Sequence, residues 1–410
     1  MSKKVLMVAF DYPPSRSVAG QRTLRMTQYL PEFGWEPLIL TAKTEAYDGL
    51  DNSQIIPSHM KNNIYRTMAL DVDRHLSIKG KHFNWMKVID RWSTWIPTAI
   101  YRGLEIIKQE KPDVIWSTYP TMSAHIIANV LAKKTGIPLI VDYQDPLGYI
   151  HKKNVPSFKK KISLKVDKAV LNRCRHAIFA TDEAKQAYID YHQMENKDKF
   201  HCIENGYDES NFDLINSLSE NIKSPFSANK FSLYYSGVLY PDGRDPTPTF
   251  YAIAKLIHDK VITSSNFELV FQGSGDGLLY KEVLEHLKIH HLVTFLASVP
   301  FVDSLKNMMD ATALLLIQDD VFNLQVPGKL FEYIRAKKPV LVAAPLTSAT
   351  GQVADKSNCG TIAHSKDEIY HALKTWLSIS PKIESDKDIT IYSRYEKAKQ
   401  LSLILDKTIN

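Results

Sequence analysis

The chain has 410 residues, 44% hydrophobic and 23% charged, with a formal net charge of +6. That composition excludes a disordered or fibrous chain, and the length exceeds what one ordinary hydrophobic core organises, so two α/β domains are expected. The three cysteines, Cys174, Cys202 and Cys359, are far apart with no C-x-x-C pair, which argues against a zinc site or disulfide framework and fits a reducing cytoplasm.

The first apolar run, Val5–Phe10, is shorter than the apolar region of a secretory leader and ends in Asp-Tyr-Pro-Pro, so it reads as a buried strand. Further strands are expected at Pro37–Thr41, Ile64–Met68, Val114–Ser117, Leu139–Tyr143, Ala177–Ala180 and Phe200–Ile203. Helical stretches lie between them at Gly20–Phe33, Thr98–Glu110, Met122–Thr135, Phe158–Arg173 and Asp182–Tyr191. The polar stretch Asp208–Asn229 reads as the site of an interdomain linker, in it or just before it. The pattern then repeats. Strands are expected at Leu233–Ser236, Leu269–Gln272, Val293–Leu296, Ala313–Ile317, Val340–Ala343 and Thr361–Ala363, with helices at Thr249–Asp259, Gly277–Leu287, Lys329–Ala336 and Lys366–Leu377. The strands are rich in Val, Ile and Leu with little alternation, as when a parallel sheet is covered on both faces. The reading is two Rossmann-like α/β domains, 1–207 and 208–388, followed by a terminal helical segment, 389–410.

Charge is uneven. Residues 1–200 hold 30 Lys+Arg against 20 Asp+Glu, and residues 201–410 hold 21 against 25. The first half is therefore the one expected to meet an anionic surface: lipid headgroups, a lipid diphosphate or nucleic acid.

Ligands of open parallel sheets collect at the carboxyl ends of strands, where helix N-termini offer free N–H groups. Five such loops stand out. In the first, Asp11–Gly20, the small pair Ala19-Gly20 opens a helix and permits close approach of a phosphate or sugar, unless Gly20 is a plain turn glycine. In the second, Asp145 follows a strand and precedes Pro146; it binds a sugar hydroxyl or serves as a turn or capping residue. The third places Arg244 shortly after a strand, where a guanidinium can clamp a diphosphate. The fourth, Gly273-Ser-Gly-Asp-Gly277, lacks full dinucleotide spacing and fits close approach of a base or ribose. In the fifth, Pro327-Gly328 starts a helix that carries Lys329 and Glu332 on one face of its first turn, suited to a diphosphate and to ribose hydroxyls.

These segments resemble the retaining glycosyltransferases of the two-domain GT-B fold, those of the family 4, group 1 type. The resemblance rests on FDYPPSRSVAGQR, the stretch from KPDVIWSTYP to VDYQDP, CIENGYDESNF, YYSGVLYPDGRDP, LVFQGSGDG, VTFLASVPF and PGKLFEYIRAKKPVLVAA, in that order along the chain. It implies two Rossmann-like domains facing a central cleft, with the C-terminal helix crossing back to the first domain. It also implies a nucleoside diphosphate sugar held by the second domain, with Glu332 on the ribose and Lys329 and Arg244 at the diphosphate. Gly237, Gly273, Val299 and Leu330 complete that donor site, and Gly20 lets the donor approach the first domain. Asp145, Arg244 and Lys329 are the implied catalytic groups. Two positions depart from the common pattern: Leu324 stands where many relatives carry Glu, and Gln144 where many carry His.

The first domain is expected to take the acceptor, with Gln144, His125, Trp92 and Trp95 as candidate contacts, although a lone His on an apolar helix is more often a core residue. Trp85, Tyr101 and the basic runs Lys152-Lys153 and Lys159–Lys161 suggest a glycan or polyprenyl-diphosphate-linked acceptor at the inner face of an anionic membrane; the alternative is core tryptophans and solubilising lysines. No cofactor or metal is expected, because Arg, Lys and helix N-termini can meet the leaving group's charge. The Asp71-Val-Asp73 triplet reads as surface, and no nucleic-acid-binding motif is visible. An epimerase of the same architecture and a non-catalytic sugar-nucleotide-binding protein remain alternatives.

Overall fold

The computed structural model describes residues 2–52, 54–76, 87, 89–147, 150, 157–194, 196–218, 223–379 and 387–410. Trp85, Lys152 and Lys153 lie outside them. The chain divides into two compact units, one of Met1–Asn205 with Arg394–Asn410 and one of Gly206–Ser393.

The first unit is built on seven parallel strands: β1 (Lys3–Val8), β2 (Trp35–Ala42), β3 (Ile64–Thr67), β4 (Val114–Tyr119), β5 (Leu139–Tyr143), β6 (His176–Phe179) and β7 (Phe200–Cys202). Their order in the sheet is β3-β2-β1-β4-β5-β6-β7. The chain winds outward from β1 to β3 and then restarts beside β1 at β4, so the switch point lies between β1 and β4. Val5, Leu6, Met7 and Val8 are all fully buried, as are Leu38, Ile39 and Leu40. Helices on both faces bury alternate residues of each strand, which is why these strands read as continuous apolar runs.

The helix Arg394–Ile409 belongs to this first unit. It packs on the helix Ala19–Tyr29, placing Ala398, Leu401 and Leu405 in one core with Val5, Met7, Trp35 and Trp116. Polar contacts fix its register. The nearly buried Lys397 ammonium donates to Glu204 Oε2 at 3.0 Å, and Trp35 Nε1 donates to Asp406 at 3.0 Å.

The second unit has six parallel strands: β8 (Phe231–Ser236), β9 (Phe267–Gln272), β10 (Val293–Leu296), β11 (Ala313–Ile317), β12 (Val340–Ala343) and β13 (Gly360–Ile362), in the order β10-β9-β8-β11-β12-β13. Its switch point lies between β8 and β11. Leu233, Tyr235, Phe271 and Leu315 pack on one face, and their neighbours Tyr234, Val270, Leu314 and Leu316 pack on the other.

Besides the single turn Val72–His75, three helices were not anticipated from the sequence. Glu209–Leu218 occupies the start of the polar stretch read as linker; Phe212 and Ile215, three apart, are buried, whereas Leu214 is exposed. A bidentate pair between Arg335 and Glu209 anchors it to the helix Lys329–Ala336. Phe301–Asp310 follows Pro300, and Ala349–Ser357 is capped by Ser348, whose hydroxyl accepts the Gly351 N–H at 3.0 Å. Among the described residues, no helix is long and apolar enough to cross a membrane.

One polar interaction sits inside the first unit's core. Asp142, on the buried strand β5, pairs with Arg22 from the helix Ala19–Tyr29 at 2.8 Å, and the side chains are 0% and 4% exposed. Arg22 also donates to the carbonyls of Ile203 and Glu204, and Asp142 accepts a further bond from Thr118 Oγ1 at 2.8 Å. Removing one partner leaves the other charge buried and uncompensated, which typically costs 3–5 kcal/mol. Arg22→Met should therefore lower the unfolding free energy in urea by about 3 kcal/mol or more; an unchanged midpoint would show the pair to be dispensable.

Candidate functional site

The residues singled out in the second unit gather at the carboxyl ends of its central strands. Pro327-Gly328 ends a loop, and the helix Lys329–Ala336 begins with Gly328 as N-cap and no side-chain cap; the Leu330 and Phe331 N–H groups donate to the carbonyls of Pro327 and Gly328 at 3.0 and 3.1 Å. Lys329 lies along the end of β8. Its Nζ donates to the Ser236 carbonyl and sits 4.0 Å from the centroid of the Tyr235 ring. Gly237 makes this possible, since a Cβ there would stand 2.8 Å from Lys329 Nζ and its φ of +114° suits only glycine.

Desolvation depresses the Lys329 ammonium, with Arg244 adding like-charge repulsion and Glu332 opposing both; the result is a pKa of about 7. Arg244 lies 5.0 Å from the Tyr240 ring and donates to Gln318 Oε1 at 3.3 Å. Its loop is fastened by Gly243, whose carbonyl accepts the Asp319 N–H at 2.8 Å. Gly273 is adjacent: its φ is +71°, and a Cβ there would be 4.0 Å from the Gly237 Cα. The Ser274 hydroxyl donates to the Gly237 carbonyl at 2.6 Å, closing the loop after β9 onto the loop after β8. Val299, beyond β10, is 36% exposed. The Leu330 side chain is fully buried in the core, and its N–H donates to the Pro327 carbonyl at 3.0 Å. The structure thus brings Gly237, Gly273, Arg244, Lys329 and Glu332 to one edge. Tyr235 and Gln318 join them; neither carries a sequence signal beyond its position at a strand end.

In the first unit, Gly20 is the second residue of its helix, and a Cβ there would stand 3.4 Å from the Asp11 carbonyl. Gln144 Nε2 donates to the Ala19 carbonyl at 3.2 Å and to Thr118 Oγ1 at 2.9 Å. Gln144, Gly20 and the buried Arg22–Asp142 pair therefore form one connected edge, with Asp145 exposed beside it. Asp11 faces the same loop; burial raises its carboxyl above the ordinary range although Ser15 Oγ donates to it at 2.6 Å.

Other candidates lie away from solvent. His125 is fully buried, with Nδ1 2.8 Å from Ser117 Oγ, and burial lowers its pKa to about 4. Trp95 is fully buried, donates Nε1 to Thr67 Oγ1 at 2.7 Å and meets Phe10 edge-on at 5.4 Å. Trp92 is partly buried, between Phe10 at 4.6 Å and the Arg91 guanidinium at 4.3 Å. The Asp71-Val-Asp73 triplet is not the surface feature its composition suggested. Asp71 is 0% exposed, caps a short helix through the Asp73 N–H and faces Arg91 at 3.4 Å, so its charge is compensated internally. Arg22, Asp142 and Asp11 were missed from the sequence, although an Asp inside the apolar strand LIVDY already signals a buried partner.

Two parallel α/β units with these strand orders are the Rossmann-like domains of the GT-B fold. Solved structures agree over the whole length. A sucrose-phosphate synthase from Thermosynechococcus elongatus matches with TM-score 0.66 and 12% identity, covering 99% of this chain and 98% of that one. HepE of Anabaena in complex with UDP matches with TM-score 0.64 and 13% identity, covering 99% and 100%. A UDP-N-acetylglucosamine 2-epimerase matches at 0.54 and 13%, covering 99% and 96%. No curated protein sequence matches the chain significantly. Residues 19–211 match the model described as Glycosyltransferase Family 4.

The Lys329 environment makes a prediction about pH. The pKa is lowered on folding from the usual lysine value of 10.5 to about 7, so the unfolded chain binds more protons between those limits and stability rises with pH across them. The thermal midpoint of the wild type relative to Lys329→Met should climb between pH 7 and pH 10; a constant difference would mean the ammonium is not desolvated.

Proposed function

We propose that the chain transfers a hexose-type sugar from a nucleoside diphosphate sugar to a glycan or polyprenyl-diphosphate-linked acceptor, with retention at the anomeric carbon, in cytoplasmic assembly of a surface polysaccharide. The observation that carries this reading is the Lys329–Arg244 pair. Two cations are held at one strand edge, one of them desolvated enough to lose much of its charge at neutral pH. A diphosphate removes that repulsion and restores the ammonium. The N-terminus of the helix Lys329–Ala336 adds the positive end of its dipole. Glu332, one turn along, takes the ribose hydroxyls, and Gly237 and Gly273 let the donor lie close to the backbone. Binding of UDP by HepE, which shares this fold, supports a nucleotide-sugar donor.

In the reaction, the bond from the anomeric carbon to the diphosphate oxygen breaks as the bond to the acceptor oxygen forms on the same face. The departing phosphate oxygen takes the acceptor's proton. Lys329 and Arg244 meet the charge that grows on the leaving group, so the step calls for no metal. On the first unit, Asp145 binds an acceptor hydroxyl, and Gln144 holds the loop that begins at Ala19-Gly20. His125 and Trp95, being buried, serve that unit's core.

The thermal midpoint of the purified chain, measured with UDP, GDP, ADP and their sugars, should rise with one base and not the others. With that donor, Lys329→Ala and Glu332→Ala should each cut transfer at least roughly tenfold, about 1.4 kcal/mol of transition-state stabilisation. Wild-type rates in both would refute the site. Donor conversion without acceptor would indicate an epimerase instead, and binding without turnover a silent binding protein.

A further inference from the structure

The helix Ser157–Arg173 packs its inner face, including Val170 and Leu171, into the first unit. Its only carboxylate, Asp167, is fully buried and accepts the Tyr143 hydroxyl and the His192 ring N–H. The outward face therefore carries no negative charge. Lys159, Lys161, Lys165, Lys168 and Arg173 are all exposed, and spacings of four and three residues put Lys161, Lys165 and Lys168 in one stripe. Among the described residues none of these five has an ion-pair partner. Phe158, in the first turn, is 61% exposed.

The position of the lysines is informative. Lys159 and Lys160 lie in the first turn and Lys161 directly after it, where the helix macrodipole disfavours cations, so solubility alone would be better served further along. The helix follows β5 and precedes β6, which are parallel neighbours. A crossover helix runs antiparallel to its strands, so the first turn lies at the carboxyl edge of the sheet. That is the edge of Gly20, Gln144 and Asp145.

We propose that this helix face docks the chain on an anionic lipid bilayer, its lysine stripe meeting the headgroups and Phe158 entering the interface. The proposal extends the acceptor reading above: docking by this end brings the bilayer to the edge assigned to a lipid-linked acceptor. Charge complementarity selects the bilayer. The face is uniformly cationic, carries Phe158 for the acyl boundary, and lacks the succession of stacking aromatics and base-reading side chains of a nucleic-acid surface.

The test is sedimentation of the full chain with phosphatidylcholine vesicles, with and without phosphatidylglycerol, at low and high salt. Binding is expected only with phosphatidylglycerol and should weaken with salt. The triple variant Lys159→Ala, Lys161→Ala, Lys165→Ala should lose about a hundredfold in partitioning, and Lys165→Gln or Lys168→Gln alone about fivefold. Phe158→Ala should weaken binding without changing its salt dependence. The single variants decide the matter if the triple variant loses its thermal midpoint. Equal binding to both vesicle types, no vesicle binding, wild-type partitioning in the single variants, or binding to duplex DNA in place of vesicles would each overturn the proposal. Nucleotide stabilisation is measured without lipid, so failure of docking and failure of the donor site are told apart.

Discussion

The strand-end edge of the second unit depends on a lysine kept from water. Lys329 is drawn along the end of β8 by the Ser236 carbonyl and the Tyr235 ring, and it fits only because residue 237 has no side chain. A solvated lysine gains little from a phosphate, since it gives up as much hydration as it wins in attraction. A lysine already desolvated, with Arg244 nearby, has lost that hydration on folding and is destabilised until an anion arrives. In the function proposed above, that cost is returned when a diphosphate binds, most of all when the leaving group's charge is growing.

The first unit solves a different problem with the same economy of parts. Its edge must present loops at the ends of β1, β4 and β5 in fixed relation. A chain of polar contacts does this, from Gln144 through Thr118 and Asp142 to Arg22, and on to the carbonyls of Ile203 and Glu204. Each buried charge is matched, so the network orders the loops without leaving an orphaned ion. Glu204 is also held by Lys397 from the returning C-terminal helix, so the strand-end network and the last helix of the chain share a residue.

Much of this was legible in the sequence. Buried parallel strands must be apolar on both faces, and runs such as VLMV, LLLI and VLVA are therefore visible without any structure. Pro327-Gly328 announced a helix start, and the i, i+3 spacing put Lys329 and Glu332 on one side of it. The helix Glu209–Leu218 was not legible, because its apolar residues do not fall on one face, Leu214 being exposed beside the buried Ile215, and so give too weak a period. Asp71 misled for a related reason: a polar neighbourhood suggests exposure, whereas Arg91 and Arg74 make burial tolerable.

The sequence alone determined two doubly wound sheets, the strand ends where ligands collect, and the residue types placed there, since these follow from local periodicity and from punctuation by Gly and Pro. Tertiary structure decided which side chains face one another. The meeting of Arg22 with Asp142 spans 120 positions, and Lys329 with Ser236 spans 93. It also decided which groups are dry, withdrawing His125 and Trp95 into the core while leaving Asp145 at the surface. Solvation and long-range partners set the charge of Lys329, and both are properties of the folded chain that no local pattern of residues contains.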